Sequence, residues 1–183
     1  MKIETPRSKQ IDPPPPSSKS VRFRAPWGLS LKIITPLVSA LILASVVLIA
    51  TRHEAAQLRG WLGGLLVALL AGGPLFMVRG YEVAPGELTI LRPGWRTRIP
   101  LDGLRSVEPG DGLATFRLRL FGNGGFWSIT GWFWNRKLRR FRSFANDPGH
   151  VLALRFERRC AIVVSPADPA AFTDALKRCA GLN

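Results

Sequence analysis

The apolar residues of the chain are concentrated in two long runs that contain no ionisable side chain. These runs cover residues 33–50 and 60–78, and basic residues flank both of them. Each run is apolar around its whole helical circumference, which lipid requires and water disfavours. As helices they would be about 27–29 Å long, close to the roughly 30 Å of a bilayer's hydrocarbon core. The pattern predicts a transmembrane helical hairpin over 33–78, with spans at 33–51 and 60–78.

Two other interpretations of these runs are weaker. Two core helices of a soluble protein would not be joined by so short and polar a segment as residues 51–59, nor closed by basic residues at their ends. A cleaved signal peptide would need a leader much shorter than residues 1–32, and a small-x-small cleavage site after Ala50 is missing.

Small residues recur every four positions along the second run. They are Gly60, Gly64, Ala68 and Gly72. Such spacing lets helix backbones approach closely in lipid, so it indicates a packing seam within the hairpin or between protomers; simple glycine abundance explains it equally well. Neither run contains a charged residue of the kind that marks an ion or proton path, which disfavours transport by this chain alone.

Charge predicts how the hairpin is oriented. Lys and Arg total 26 against 12 Asp and Glu, a formal net charge of +14. Seven of these basic residues precede the first run, whereas the loop between the runs carries only Arg52 and Arg59. The positive-inside rule therefore places both termini in the cytoplasm. Residues 1–32, which include Pro13–Pro16, are predicted to be a disordered, basic, proline-rich cytoplasmic leader.

Residues 79–183 are predicted to be a mainly-β domain. About seven short strands are expected, at 81–83, 88–92, 95–101, 115–121, 126–134, 151–156 and 160–164. In the strand at 115–121, Phe116, Leu118 and Leu120 are expected to face the core, and residues 122–125 are expected to form a loop. A closing helix follows, with Asp168 as its cap and Pro169 at its first position. This order predicts a small barrel or sandwich closed by a C-terminal helix.

Residues 79 to about 180 resemble the pleckstrin-homology (PH) superfold, in particular the bacterial PH-like domains that follow transmembrane hairpins. The resemblance lies in the order of short pieces: Tyr81-x-Val83, Gly86-Glu87-Leu88-x-Ile90-x-Arg92-x-Gly94, Ile99-Pro100-Leu101, Phe121-Gly122, Gly131-Trp132-Phe133 and Ser165-Pro166-x-Asp168-Pro169-x-x-Phe172. It implies a cytoplasmic domain next to the bacterial inner membrane, anchored by two spans. It implies no catalytic residue and no particular ligand.

A basic cluster between aromatic residues is the strongest candidate binding site. It consists of Arg136, Lys137, Arg139, Arg140 and Arg142. Five cations in seven residues suit phosphate, and anionic lipid headgroups are the nearest source for a membrane-anchored domain. A solvated basic hairpin that only obeys the positive-inside rule is the competing interpretation. Nucleic acid or an acidic protein is a less favoured partner.

Catalytic chemistry finds little support in the sequence. The chain has two Cys, two His and one Tyr, the Cys spacing fits no zinc site, and the glycine loop at 122–125 lacks the Lys-Ser/Thr ending of a P-loop. We therefore expect no enzyme activity and no cofactor. The sequence predicts an interaction or scaffold module that works with a protein partner or a second copy. The alternative is an accessory subunit of a membrane transport or envelope-stress complex.

Overall fold

The computed structural model describes residues 20–51, 56–111, 115 and 118–181. Its helices are α1 (Leu29–Thr51), α2 (Ala56–Gly72), a 3-10 helix (Gly73–Phe76) and α3 (Pro169–Ala180). The strands are β1 (Val21–Arg24), β2 (Gly80–Ala84), β3 (Glu87–Leu91), β4 (Arg96–Pro100), β5 (Leu104–Pro109), β6 (Leu118–Gly124), β7 (Ile129–Asn135), β8 (Arg139–Ala145), β9 (Leu152–Phe156) and β10 (Ala161–Val164).

These strands form two sheets. The first has the order β1-β2-β3-β4, and the second has the order β5-β9-β10-β8-β7-β6, in which β10 runs parallel to β8. The α3 helix begins as predicted, because the Asp168 Oδ1 accepts a hydrogen bond from the Ala171 N–H at 3.0 Å and Pro169 follows the cap. Phe172 and Leu176 of α3 are fully buried in the core that the first sheet shares with the second.

The described residues hold ten strands where about seven were predicted, and β1, β5 and β8 are the additions. The disorder predicted for residues 1–32 is wrong for Val21–Arg24, which pair antiparallel with β2. The ring of Phe23 packs edge-to-face on that of Phe172, with centroids 5.1 Å apart. Residues 1–19 lie outside the described residues.

The strand predicted at 115–121 is displaced in the structure. Strand β6 covers Leu118–Gly124, so it takes in most of the predicted loop at 122–125. Leu118 and Leu120, expected in the core, are 51% and 50% exposed on β6, which is an edge strand of its sheet. Phe116 lies outside the described residues. Apolar and basic residues do alternate along this segment, but no other described part of the chain packs over Leu118 and Leu120 closely enough to bury them.

The two apolar runs form helices of different length. Among the described helices, only α1 is long and apolar enough to cross a membrane, and only 6% of its 18-residue apolar stretch is buried. The second run gives a shorter apolar segment, because the α-helix ends at Gly72 and continues as a 3-10 helix. Pro74 lacks the N–H that a continuing α-helix would use, which explains the change. Two full-length spans were predicted, and by length and composition one described helix, α1, could be such a span.

Hydrogen bonds fix the start of α1 and the end of the α2 segment to the β domain. The Asn146 side-chain amide donates to the Ala25 carbonyl at 3.1 Å, before α1, and to the Val78 carbonyl at 2.6 Å, after α2. Leu31 and Thr35, in the first turns of α1, are buried, and the Thr35 Oγ1 accepts from the Trp127 N–H at 3.2 Å. The core of the domain therefore includes residues that precede and begin α1.

The contact between β1 and β2 predicts a position-specific glycine effect. A Cβ on Gly80 would lie 2.6 Å from the Phe23 carbonyl oxygen, so Gly80→Ala should push β1 off the sheet and lower the unfolding free energy by about 1–3 kcal/mol. A Cβ on Gly94 would meet only Leu75, at 3.9 Å, which makes Gly94→Ala the matched control. Thermal unfolding of the full chain in detergent measures both. Equal melting temperatures would contradict the described pairing.

Tyr81 provides a titration test of the core. Its hydroxyl donates to the Phe144 carbonyl at 2.7 Å and accepts from the Ser165 N–H at 3.0 Å, and burial raises its pKa to about 12 from 10.0. A raised pKa means that the stability from the neutral phenol is present below pH 10.0 and is lost as the pH rises through about 12. Because Tyr81 is the single tyrosine, tyrosinate absorbance reads it alone. A midpoint near 10.0 in the folded chain would contradict its burial.

Candidate functional site

The predicted basic cluster is divided between a turn and a strand. Residues 136–138 form the turn between β7 and β8, and Arg139 begins β8 with a left-handed φ of 60°. Asn135 shapes the turn: its Oδ1 accepts from the Leu138 N–H at 2.6 Å, and its Nδ2 donates to the Thr115 carbonyl at 2.9 Å. Lys137 pairs with Asp111 at 3.3 Å. Arg136, Lys137 and Arg139 are therefore exposed at the tip of the hairpin.

The other two cations lie on one face of the sheet. In the β7–β8 register, Arg140 is opposite Trp134 and Arg142 is opposite Trp132. The Arg140 guanidinium lies 4.9 Å from the centroid of Trp132, and that of Arg142 lies 4.8 Å from the centroid of Phe144. Both distances are those of cation–π contacts, which hold the guanidinium groups over the sheet.

Edge-strand side chains extend this face with exposed apolar surface. In the β6–β7 register, Phe121 is opposite Trp132 and Leu118 is opposite Trp134, and Phe121 is 78% exposed. We call the surface formed by Leu118, Phe121, Trp132, Trp134, Arg140 and Arg142 the amphipathic face. Exposed aromatic rings beside arginines are typical of surfaces that contact a membrane interface.

Arg92 joins this face from the other sheet, and the sequence analysis named it only as part of the resemblance to PH-like domains. Its guanidinium lies 5.2 Å from the centroid of Phe144 and 5.5 Å from that of Trp95. Its Nε is buried and has no hydrogen-bond partner in the described part of the chain. Burial, and next the nearby charge of Arg142, lower the pKa of Arg92. Since β3 and β8 are far apart in sequence, no sequence spacing could have paired these arginines.

A cavity of about 800 Å³ separates the amphipathic face from α2. The sheet side includes Arg92, Phe121, Trp132, Arg142 and Phe144, and the helix side includes Leu65, Ala68, Leu69 and Gly72. Three arginines line the cavity, Arg92, Arg119 and Arg142, and the described lining residues include no Asp or Glu. The cavity thus combines a basic end with an apolar wall.

The small residues of α2 have open space beside them. A Cβ on Gly60, Gly64 or Gly72 would have no described atom within 4 Å outside the helix itself. Ala68 and Gly72 line the cavity. A packing seam at these residues, within the hairpin or between protomers, stays a prediction.

The described residues offer no group of three His, Cys, Asp or Glu that could hold a metal ion. His150 Nδ1 lies 2.9 Å from the Asp147 Oδ2, and the other Asp147 oxygen accepts from the Gly149 N–H, which is a turn geometry. The Ser165 Oγ accepts from the Asn146 and Asp147 N–H groups, so it shapes the backbone around Asn146.

A family profile described as bacterial PH domain matches residues 79–180, which is more than half of the chain. The chain belongs to the bacterial PH domain family. The resemblance seen in the sequence is confirmed at this level, and the mainly-β domain with its closing helix is consistent with a PH-like fold. No curated protein and no solved structure matched the chain.

The folded domain of this bacterial PH domain protein includes segments that precede the range matched by the family profile. Strand β1 and helix α1 precede residue 79, yet β1 completes the first sheet and Leu31 of α1 is fully buried. The cavity likewise uses both the matched range, through Arg92 and Arg142, and the preceding helix α2. The candidate site is therefore formed by the PH domain together with the helical segment before it.

Proposed function

We propose that this protein is a membrane-anchored PH-like interaction module at the cytoplasmic face of a bacterial inner membrane, where its amphipathic face contacts anionic lipid headgroups. The observation that carries the proposal is the position of that face: its Phe121, Trp132 and Arg142 line an open cavity whose other side is the apolar helix α2. Helix α2 and the face would then contact the same bilayer.

The exposure of α1 supports a membrane anchor. Large apolar side chains such as Leu37 and Leu41 are each 68% exposed, whereas a core helix of a soluble protein would be mostly buried. Exposing such a surface to water is costly, at roughly 25 cal/mol per Å². Lipid removes that cost for every side of the helix.

The pairing of β1 with β2 supports a hairpin with two spans. These strands precede α1 and follow α2, and they lie side by side in one sheet. If α1 crosses a membrane, the chain must cross back before β2, and α2 with its 3-10 extension is the segment available. Its apolar part, Gly60–Phe76, is α-helical to Gly72 and 3-10 helical from Gly73, and it rises about 28 Å in all. That length matches a hydrocarbon core of roughly 30 Å.

We propose that only part of the predicted basic cluster contacts lipid, and the distances along β8 support this. Ala145, at the end of β8, precedes Asn146, which holds the two helices. Arg139 lies six residues earlier, roughly 20 Å along the strand. The hairpin tip is thus remote from the helix attachment, whereas Arg142 lies beside the cavity. We assign headgroup contact to Arg140 and Arg142, together with Trp132 and Trp134.

The topology is tested by reporter fusions. We expect a phosphatase fused after Gln57 to be active outside the cytoplasm and the same phosphatase fused after Asn183 to be inactive, because positive charge favours a cytoplasmic location for both termini. A fluorescent protein that folds only in the cytoplasm is the reciprocal control. Activity at Asn183, or the same compartment for both positions, would contradict the hairpin.

The position of the amphipathic face is tested by spin labels in the full chain, reconstituted in nanodiscs that contain phosphatidylglycerol. Cys160 and Cys179 are first replaced by Ser, and one label is then placed at Phe121→Cys or, as the exposed control, at Arg158→Cys. We expect oxygen to relax the label at position 121 more than a water-soluble nickel chelate does, and the reverse at position 158. Chelate-dominated relaxation at both positions would place the face in water.

A further inference from the structure

The cavity between α2 and the amphipathic face has two chemically different ends. Arg92 and Arg142 lie at one end, on the ring of Phe144. Leu65, Ala68 and Leu69 of α2 form the apolar wall. A molecule that is complementary to this cavity carries an anionic group next to a hydrocarbon portion.

The basic end lacks a counter-charge. The two guanidiniums lie 5.2 and 4.8 Å from the same ring centroid, and the positive charge of Arg142 disfavours the charge on Arg92. The Arg92 Nε is a buried donor without an acceptor among the described residues, and the cavity lining they form has no carboxylate. Leaving a buried charged donor unpaired costs free energy, and a phosphate between the two arginines would supply acceptors and cancel the repulsion.

The apolar wall has room for a chain. Ala68 and Gly72 are small, and a Cβ on Gly72 would meet no described atom within 4 Å outside the helix. From Gly72 to Leu65 the wall rises seven residues, or about 10 Å, along α2. A volume of about 800 Å³ is ample for a headgroup and the first part of an acyl chain.

We propose that this cavity binds one anionic phospholipid, with its phosphate between Arg92 and Arg142 and an acyl chain along Leu65, Ala68 and Leu69 of α2. The inference rests on the proposed function, because the acyl chain continues into the bilayer that α2 would enter. It goes further in that it specifies a single bound lipid rather than contact with a charged surface. Free phosphate would fill the basic end but make no contact with the apolar wall, which favours the lipid.

Native mass spectrometry of the full chain, released from detergent micelles, tests the proposal by counting bound phosphatidylglycerol. We expect one molecule to be retained, and phosphatidylcholine to be retained much less. Arg92→Gln with Arg142→Gln should weaken phosphatidylglycerol binding roughly ten-fold or more, because both charge-assisted contacts are lost. Arg136→Gln with Arg139→Gln removes the same charge from the exposed hairpin tip and should leave binding unchanged. Equal weakening by both pairs would overturn the proposal.

A second variant tests the apolar wall and leaves the arginines intact. Ala68→Phe fills the space beside α2 on an exposed side of the helix, so it should not disturb the domain core. We expect it to reduce phosphatidylglycerol binding several-fold. Unchanged lipid binding in Ala68→Phe, or inorganic phosphate that competes fully with the lipid, would show a phosphate-only site and overturn the proposal. Thermal unfolding of each variant checks that it is folded.

The outcomes separate this inference from the proposed function. If the reporters and spin labels place the protein and its amphipathic face at the membrane, but no phosphatidylglycerol is retained, the cavity site alone is wrong. If the chain is soluble without detergent and position 121 is aqueous, the proposed function is wrong as well.

Discussion

The side-chain amide of Asn146 holds the arrangement on which the rest of the structure depends. Two carbonyl groups, of Ala25 and Val78, accept from the same Nδ2, one just before the first helix and one just after the second. The backbone N–H of Asn146 is in turn fixed by the Ser165 Oγ at 2.8 Å. A buried carbonyl left without a donor costs about 1–3 kcal/mol, so this one amide strongly favours keeping both chain segments together.

Joining those segments through the Asn146 amide affects both the β domain and the helices. On the domain side, it brings β1 beside β2, so a segment that precedes the helices completes a sheet made from residues that follow them. On the helix side, it fixes the end of α2 next to β6–β8. The cavity exists because α2 and the sheet are held at this junction, while the small residues Ala68 and Gly72 keep the space between them open.

Contacts with an aromatic ring explain how Arg92 and Arg142 are accommodated beside the cavity. A guanidinium that lies on an aromatic ring keeps a favourable contact after it loses water, which makes the half-buried Arg92 tolerable over Phe144, where the exposed Arg142 also lies. Their mutual repulsion and the orphaned Arg92 Nε remain uncompensated within the described residues. A surface with uncompensated positive charge that is open to an apolar helix is suited to an anionic amphiphile, which is the basis of the proposed function at lipid.

The sequence by itself determined the features that depend on local pattern: the two apolar runs, most strand positions, the cap of α3 at Asp168, and the family to which residues 79–180 belong. It missed β1, β5 and β8, because short or charged segments carry no clear period, and it placed Leu118 and Leu120 in a core that does not cover them. Only the tertiary structure separated Arg140 and Arg142 from the rest of the basic cluster and joined Arg142 to Arg92. The reason is physical: strand pairing, unlike periodicity, brings together residues far apart in the chain, and the balance of charge in a cavity depends on those neighbours.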